Sequence, residues 1–522
     1  MTILTPGTVN PNALVAPGVY ISPQLPSPPL NGVATNIILV VGTATWGAIN
    51  SPVIINSLQD YTSSFGNPQT TIYDMGTQVM AASSLGGNAF VCVRVTDGTD
   101  VKATVDVVDT TSPTPVNGLV LTALYSGTLG NTIQVVVEQG TNYTVGTPVY
   151  KISILFPTGG VNNLPEVYDN IGGTGATFWQ NAVNAINLGQ GALSPPSQLV
   201  TAAIGTSTAT PALQSYVLAG GTDGNSGVTD SDLVGSNISP RTGMYSASGS
   251  TFDLMVLSNV TTGSTYQEQI SFAEMKAAYV MLARPQGESF TAGIAAKKAI
   301  TFDVETMSWG KLMVGDWCYF QDNYNNTQRY MSPQAWIAGI LSNLSPEQSS
   351  LNKILSSAIF LGTQTSVANK RYNQADIAQI LQNGLDVIAL PSPGGFYFGA
   401  QTGKNLSSNL LINGDEYTRN TNYLAATLNT QLGVYVGELM SPSEIQSVTI
   451  FIKSFLYTLW KQNKIGSTTN PTQVPYTVSI DVSQAAKGIQ IANVTVAFLR
   501  VIVVFLVNLQ TGVVSISSVT NQ

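Results

Sequence analysis

Unbroken apolar runs alternate along this chain with stretches of helical spacing. Residues 36–47 (NIILVVGTATWG) and 89–95 (AFVCVRV) read as buried strands. Between them, residues 70–87 (TTIYDMGTQVMAASSLGG) read as a helix stopped by Gly86 and Gly87. Strand, helix, strand in one stretch predicts an α/β unit. From 99 to 219 the pattern changes to short β-rich runs (VKATVDVV, TIQVVVE, VYKISILF) among Gly, Thr, Asn and Pro, with one short helix at 176–188. This is a mostly β insertion, and residues 218–227 (LAGGTDGNSG) are its return.

The α/β pattern then resumes. Residues 251–260 are a strand, and Thr265 with Glu268 forms a capping box for a helix ending before Pro285. KLMVGDWCYF (311–320) reads as one further strand, Ser332–Pro333 opens a helix, Asn373 caps another that stops at Gly384, and LDVIALP (385–391) is a strand. The longest element lies in residues 441–466, with Ser441 as N-cap, Pro442 at the first helical position, Glu444 completing a capping box and Gly466 as terminator. Ile445, Val448, Ile452, Phe455, Leu456 and Leu459 share one face of it, while Lys453, Lys461 and Lys464 fall near Ile450 and Tyr457. That second face is read either as a solvated lysine face or as a partner contact. The chain closes with strands at 476–482, 494–507 and 512–519.

Both ends carry a strand without a local partner. Near the N-terminus it is APGVYIS (16–22), where Val19 and Ile21 alternate with Tyr20 and Ser22 inside a stretch holding Pro6, Pro11, Pro17, Pro23, Pro26, Pro28 and Pro29. Proline removes donors and favours extended chain, so this strand cannot satisfy its hydrogen bonds nearby. At the other end, Val513, Val514 and Ile516 lie in the alternating GVVSISSV.

Composition narrows the function. With 522 residues and 43% hydrophobic content the chain supports several cores. Charged residues are only 9%, against roughly 25% in typical soluble domains, which suits a surface covered by other copies. The net charge is −8, with 20 Lys and Arg thinly spread, so nucleic-acid binding through phosphates is not expected. There is no histidine, which excludes His-dependent triads and His metal sites. Cys92 and Cys318 sit in apolar contexts and read as buried thiols in a reducing compartment, with a disulfide or metal pair as the alternative. The start lacks a secretory pattern, and the run VIVVFLV (501–507) falls short of the ~20 residues a membrane span needs, so it reads as a buried strand of a chain folded in the cytosol.

Two stretches and three scattered carboxylates invite chemistry and fail its rules. GGFYFGAQTGKN (394–405) has Phe398 where a phosphate loop needs glycine, and Asn405 where a hydroxyl must reach magnesium. DGNSGVTDSD (223–232) lacks the closing Glu of a calcium loop, Val234 standing at that position, which leaves a looser cation site as the alternative to a plain turn. Glu138, Asp303 and Glu305 are carboxylates without a marked acid–base partner. No cofactor, metal or catalytic site is expected, and the chain is expected not to be an enzyme.

The order of several segments resembles contractile tail sheath proteins of bacteriophages and the related contractile injection systems. They are APGVYIS, VGTATWGAINSPVIINSLQDYTSSFG, QVMAASSLGGNAFVCVRV, LYSGTLGNTIQVVVE, LAGGTDGNSG, and NGLDVIALPSPGGFYFGAQT through the 441–464 helix. One departure is FGAQTGK, with Gln401 where the family usually has arginine. The resemblance implies a multidomain α/β (α+β) chain. Its parts are an N-terminal arm (1–34), an α/β domain (35–98 and 220–365), an inserted β-rich outer domain (99–219), a C-terminal inner domain (366–507) and a C-terminal arm strand (508–522). It implies that Val19, Tyr20 and Ile21, and Val513, Val514 and Ile516, pass to neighbouring subunits and complete a sheet there, and that the inner domain touches a tail tube; the second face of the 441–466 helix suggests that Lys453, Lys461 and Lys464 face acidic groups on that tube. The implied partners are further copies in a helical polymer, the tube protein, and baseplate and tail terminator proteins, in a virion assembled in the host cytoplasm, with neither nucleic acid nor membrane insertion. A tail fibre or baseplate receptor-binding part is the alternative.

Overall fold

The computed structural model describes residues 2–3, 20–21, 32–156, 164–192 and 194–503. The chain forms two compact units: Thr35–Arg419 with the chain from Arg500, and Asn420–Leu499 with the chain up to Ala34.

The larger unit is built on a six-stranded sheet in the order Val53–Ile55, Phe90–Arg94, Ile38–Gly42, Leu254–Leu257, Tyr279–Ala283, Gly310–Met313. Five strands are parallel, and only Val53–Ile55 runs against its neighbour. The inner strands are unbroken apolar runs because both faces are covered. Ile38 and Val40 enter one core with the helices Met75–Ser83 and Gln334–Ser342, while Leu39 and Val41 enter the other with the helix Tyr266–Lys276. The chain starts mid-sheet at Ile38–Gly42, adds Phe90–Arg94 on one side, and later adds three strands on the other. That is a doubly wound sheet, with its switch point between Ile38–Gly42 and Leu254–Leu257.

Between Phe90–Arg94 and Leu254–Leu257 the chain makes two antiparallel sheets, of four and three strands, and the helix Ala176–Leu188. Their shared core contains Trp179 and Phe178, and Gly118 is needed where the Trp179 ring passes, since a Cβ there would lie 2.2 Å from it. Trp46, from the loop after Ile38–Gly42, joins this core edge-on to Tyr125 and Phe156, with centroids 5.3 and 5.1 Å apart. Arg94 ties the same junction. Its guanidinium, fully buried, donates to the carbonyls of Gly47 (2.9 Å), Ser126 (2.7 Å) and Asp223 (3.2 Å).

The smaller unit holds most of the helix Asp415–Leu432, the helix Pro442–Lys461 and an antiparallel hairpin, Tyr476–Asp481 with Ile491–Val496. Leu424, Val448, Ile452, Phe455, Leu456, Leu459 and Ile465 form its core, and Ile445 is half-buried.

Several expectations change. The segment after Thr265 is not one helix to Pro285: the helix stops at Ala277, in left-handed conformation, and Tyr279–Ala283 is a central strand. There is no capping box there, because Glu268 accepts from the Tyr245 hydroxyl instead. KLMVGDWCYF divides between two sheets, as Gly310–Met313 and Cys318–Asp322. The strand expected at 385–391 shortens to Ile388–Ala389, paired with Gly399–Ala400. At Ser441 the side chain caps Glu444 N–H (3.2 Å), but the reciprocal bond is absent because Ser441 N–H is taken by Leu439 O. The helix ends at Lys461 rather than near Gly466, since left-handed Asn463 lets Lys464 N–H reach Leu459 O (2.9 Å). The strand expected over 494–507 stops at Val496, where its partner strand gives way to Pro475, which has no N–H to continue the ladder. Residues 501–503 are not in a strand and Ile502 is exposed; residues 504–507 lie outside the described ones.

Candidate functional site: the open hairpin and three closed loops

The hairpin of the smaller unit has the pattern of a sheet with one wet face. Tyr476, Val478, Ile480, Val494 and Val496 pack toward the core, while Thr477, Ser479 and Thr495 are exposed, the two threonine hydroxyls bonded to each other. Each strand has a single partner, so among the described residues both outer rows of N–H and C=O groups are unpaired by strands. A two-stranded sheet is marginal by itself, and such edges are templates for further strands.

Of the residues expected to donate strands, Tyr20 and Ile21 form a two-residue parallel pair with Thr2–Ile3. That pairing within the arm was not expected, and among the described residues it covers one side of the segment. Val19, Val513, Val514 and Ile516 lie outside the described residues.

The loops that resemble ligand sites are filled by the protein itself. Backbone N–H groups of Gln401, Thr402 and Gly403 do converge on an anion, and it is the Asp386 carboxylate, at 3.1, 3.0 and 2.9 Å. Asp386 also accepts Val387 N–H (2.8 Å) and pairs with Lys311 Nζ (2.7 Å). Lys311 bridges on to Asp415 (3.0 Å), and both side chains of each pair are completely buried. Burial alone would lower the Lys311 pKa, but the two carboxylates hold it above its ordinary value. Burial likewise works against the Asp415 carboxylate, but Lys311, Ser350 and Tyr279 pull its pKa down to about 2. Sequence reading missed this cluster; its one signal is a lysine at the head of an apolar run, KLMV, which requires a buried carboxylate.

The 223–232 stretch is equally committed. Asp223 accepts Thr128 N–H (2.6 Å) and hydroxyl, Asp230 accepts the Tyr73 hydroxyl (2.7 Å) and the N–H groups of Thr261 and Thr262, and Asp232 caps a short helix. Among the described residues no group of three or more acidic, Cys or His side chains could hold a metal. At the switch point, where doubly wound sheets commonly take ligands, Asn259 is bonded to Gln78, to Ser332 N–H and to Ile72 O. A Cβ on Gly42 would come 2.5 Å from Ser258 Oγ and from Tyr73 O, so the crevice is closed by the chain's own groups. Cys92 and Cys318 are free and buried in one core, and burial pushes both thiols up.

No family model matches the chain, and no curated relative does. Solved structures do. A sheath tail protein from Listeria innocua superposes with a TM-score of 0.60 at 14% identity, over 90% of this chain and 96% of that one. A sheath tail protein from Desulfitobacterium hafniense gives 0.57 at 15% identity, over 92% and 100%. The helical sheath of the anti-feeding prophage in its contracted state gives 0.53 at 12% identity, over 95% and 98%. The chain has the fold of a contractile sheath protein.

Within this sheath fold, Gln401 does a job of its own. Its amide nitrogen donates to the carbonyls of Ala389 (3.1 Å), Pro391 (3.3 Å) and Gly399 (3.2 Å), holding the turn closed. On the long helix, Ile450, Lys453, Tyr457 and Lys461 share the exposed side, with Lys461 Nζ 5.2 and 5.0 Å from the Tyr457 and Trp460 ring centroids. Lys464 does not belong to that helical face. It lies past the helix end and is half-buried, its N–H closing the cap.

Proposed function

We propose that this chain is the structural subunit of a contractile tail sheath. It polymerises helically around a tail tube and shortens to drive the tube through a host envelope for genome delivery. The observation that carries the reading is the sheath fold, joined to a hairpin with two unpaired edges in the unit where donated strands are expected. A strand from another copy on such an edge satisfies its backbone groups and leaves the donor's own edge to be filled in turn. That contact is head-to-tail and propagates into rings and helices. The Pro-rich link at 23–29 would serve as an extended tether, at ~3.1 Å per residue. The role is structural rather than enzymatic, and the setting is a virion tail with tube, baseplate and terminator proteins as partners. A tail fibre or receptor-binding part is not favoured, since the matching solved folds are sheaths.

Contraction on this reading requires no nucleotide. The loop that would cradle phosphate holds Asp386, and a difference in contact free energy between two arrangements of the array suffices. Negative-stain microscopy of the purified protein tests the proposal: striated tubes or stacked rings support it, and discrete particles at all concentrations overturn it. Lys453 and Lys461, the two lysines on the exposed side of the helix, are proposed to meet acidic groups on the tube. Reversing both charges is expected to prevent extended assembly on tubes, and normal tails from that variant would remove the tube contact from the proposal.

A further inference from the structure

In the larger unit, Ile354, Leu361, Val367 and Phe396 are 44–77% exposed. They lie on neighbouring segments. Ile354 bridges to Gly399, Leu355 N–H bonds to Phe398 O, and a Cβ at Gly362 would lie 3.7 Å from Val367 and 3.8 Å from Phe398. The exposed charge there leans positive: Lys353, Lys370 and Arg371 lie in residues 348–375, between Glu347 and Asp376. The Arg371 guanidinium lies over the Phe396 ring, 5.6 Å from its centroid, and Lys370 and Arg371 are exposed. An apolar patch rimmed by cations fits an apolar segment that carries acid.

The chain has such a segment in its smaller unit. In the loop 433–440 (GVYVGELM), Val434, Val436 and Leu439 are 71–86% exposed beside exposed Glu438. Around the loop, residues 420–452 contain Glu438 and Glu444, between Arg419 and Lys453. Tyr435 anchors the loop by packing edge-on to Phe451, with centroids 5.8 Å apart, so Val434 and Val436 are presented from a fixed base.

We propose that the Phe396 patch of one copy receives the 433–440 loop of a second copy. This rests on the reading that the chain polymerises, and adds a body-to-body contact distinct from strand donation. The two surfaces differ, so the contact is head-to-tail and propagates rather than closing a dimer.

Cysteine crosslinking tests it. The native thiols are buried, and both new sites are exposed. Under oxidation, a mixture of Phe396→Cys and Leu439→Cys chains is expected to give a covalent dimer that neither variant gives alone. The chain carrying both changes is expected to give a ladder of oligomers. Lys370→Glu with Arg371→Glu should cut the crosslink yield at least tenfold, and adding Glu438→Lys should restore it. A mixture that crosslinks no better than the single variants overturns the contact, as does a Phe396→Cys chain that crosslinks only to tube protein. Wild-type tubes without the crosslink leave the sheath reading standing and sink this contact; the crosslink without tubes does the reverse.

Discussion

The central sheet and the terminal hairpin differ in how their edges end. In the sheet, the edge strand Gly310–Met313 is met by the chain itself: Asp386 N–H bonds to Leu312 O, Val314 N–H to Asp386 O, and Leu406 N–H to Gly310 O. Its inner strands are fully buried, and its one buried lysine has two carboxylates. In the hairpin, among the described residues, two strands carry two edges without a strand beside them, and their side chains are half-buried at best. The sheet closes its Gly310–Met313 edge within the chain, whereas among the described residues neither edge of the hairpin has a strand beside it. On the proposed function, the first is a body that keeps its shape and the second a piece that a neighbouring copy finishes.

The contrast can be broken most forcefully at the ends of the chain. Removing residues 1–31, or 508–522, is expected to abolish tube formation seen by microscopy while leaving the melting temperature of the isolated subunit unchanged. Tubes from either truncation would mean the hairpin edges need no donated strand. Next in size, Lys311→Met leaves Asp386 and Asp415 buried without their cation, and should cost about 3–5 kcal/mol in denaturant unfolding of the larger unit. A change within error would show that the network is not what closes that unit. In the smaller unit, Leu456 is fully buried between helix and hairpin, and Leu456→Ala should cost about 2–5 kcal/mol. Since the sheet has its own core, the loss should appear as earlier melting of the smaller unit alone, read by hydrogen exchange.

The smallest effect is one of pH. Asp415 has its pKa held down to about 2, against an ordinary value near 4, so its contribution is present above pH ~4 and is lost as pH falls toward 2. Wild type should therefore lose stability relative to Asp415→Asn over that window, measured by denaturation at pH 2–5. Parallel curves would contradict the pairing with Lys311.

Unbroken apolar runs made much of the sheet legible, because strands covered on both faces need no alternation. Tyr279–Ala283 was absorbed into a neighbouring helix, since five apolar residues carry no usable period. The helix Asp415–Leu432 was missed for a different reason: Asp415, Glu416, Thr418, Arg419, Asn420 and Asn422 are all buried, so the inner side of its first half is polar, and the apolar stripe of Leu424, Leu428 and Leu432 begins only in its second half. The hairpin could be read from alternation in YTVSIDV and VTV. The nest around Asp386 could not, because it depends on backbone N–H groups at 401–403 meeting a side chain far back in the sequence. A glycine-bearing loop looks the same in one dimension whether its anion is a phosphate or its own aspartate.

Arg94 has a consequence for engineering. One guanidinium grips a strand end of the β-rich insertion at Ser126 and its return at Asp223, while Trp46 plugs into the insertion's core. That is a socket with a defined plug. A foreign domain grafted in its place would need two carbonyl oxygens at those positions and an aromatic pocket for the tryptophan, and a graft that meets those terms would ride the scaffold as cargo on a fixed mount.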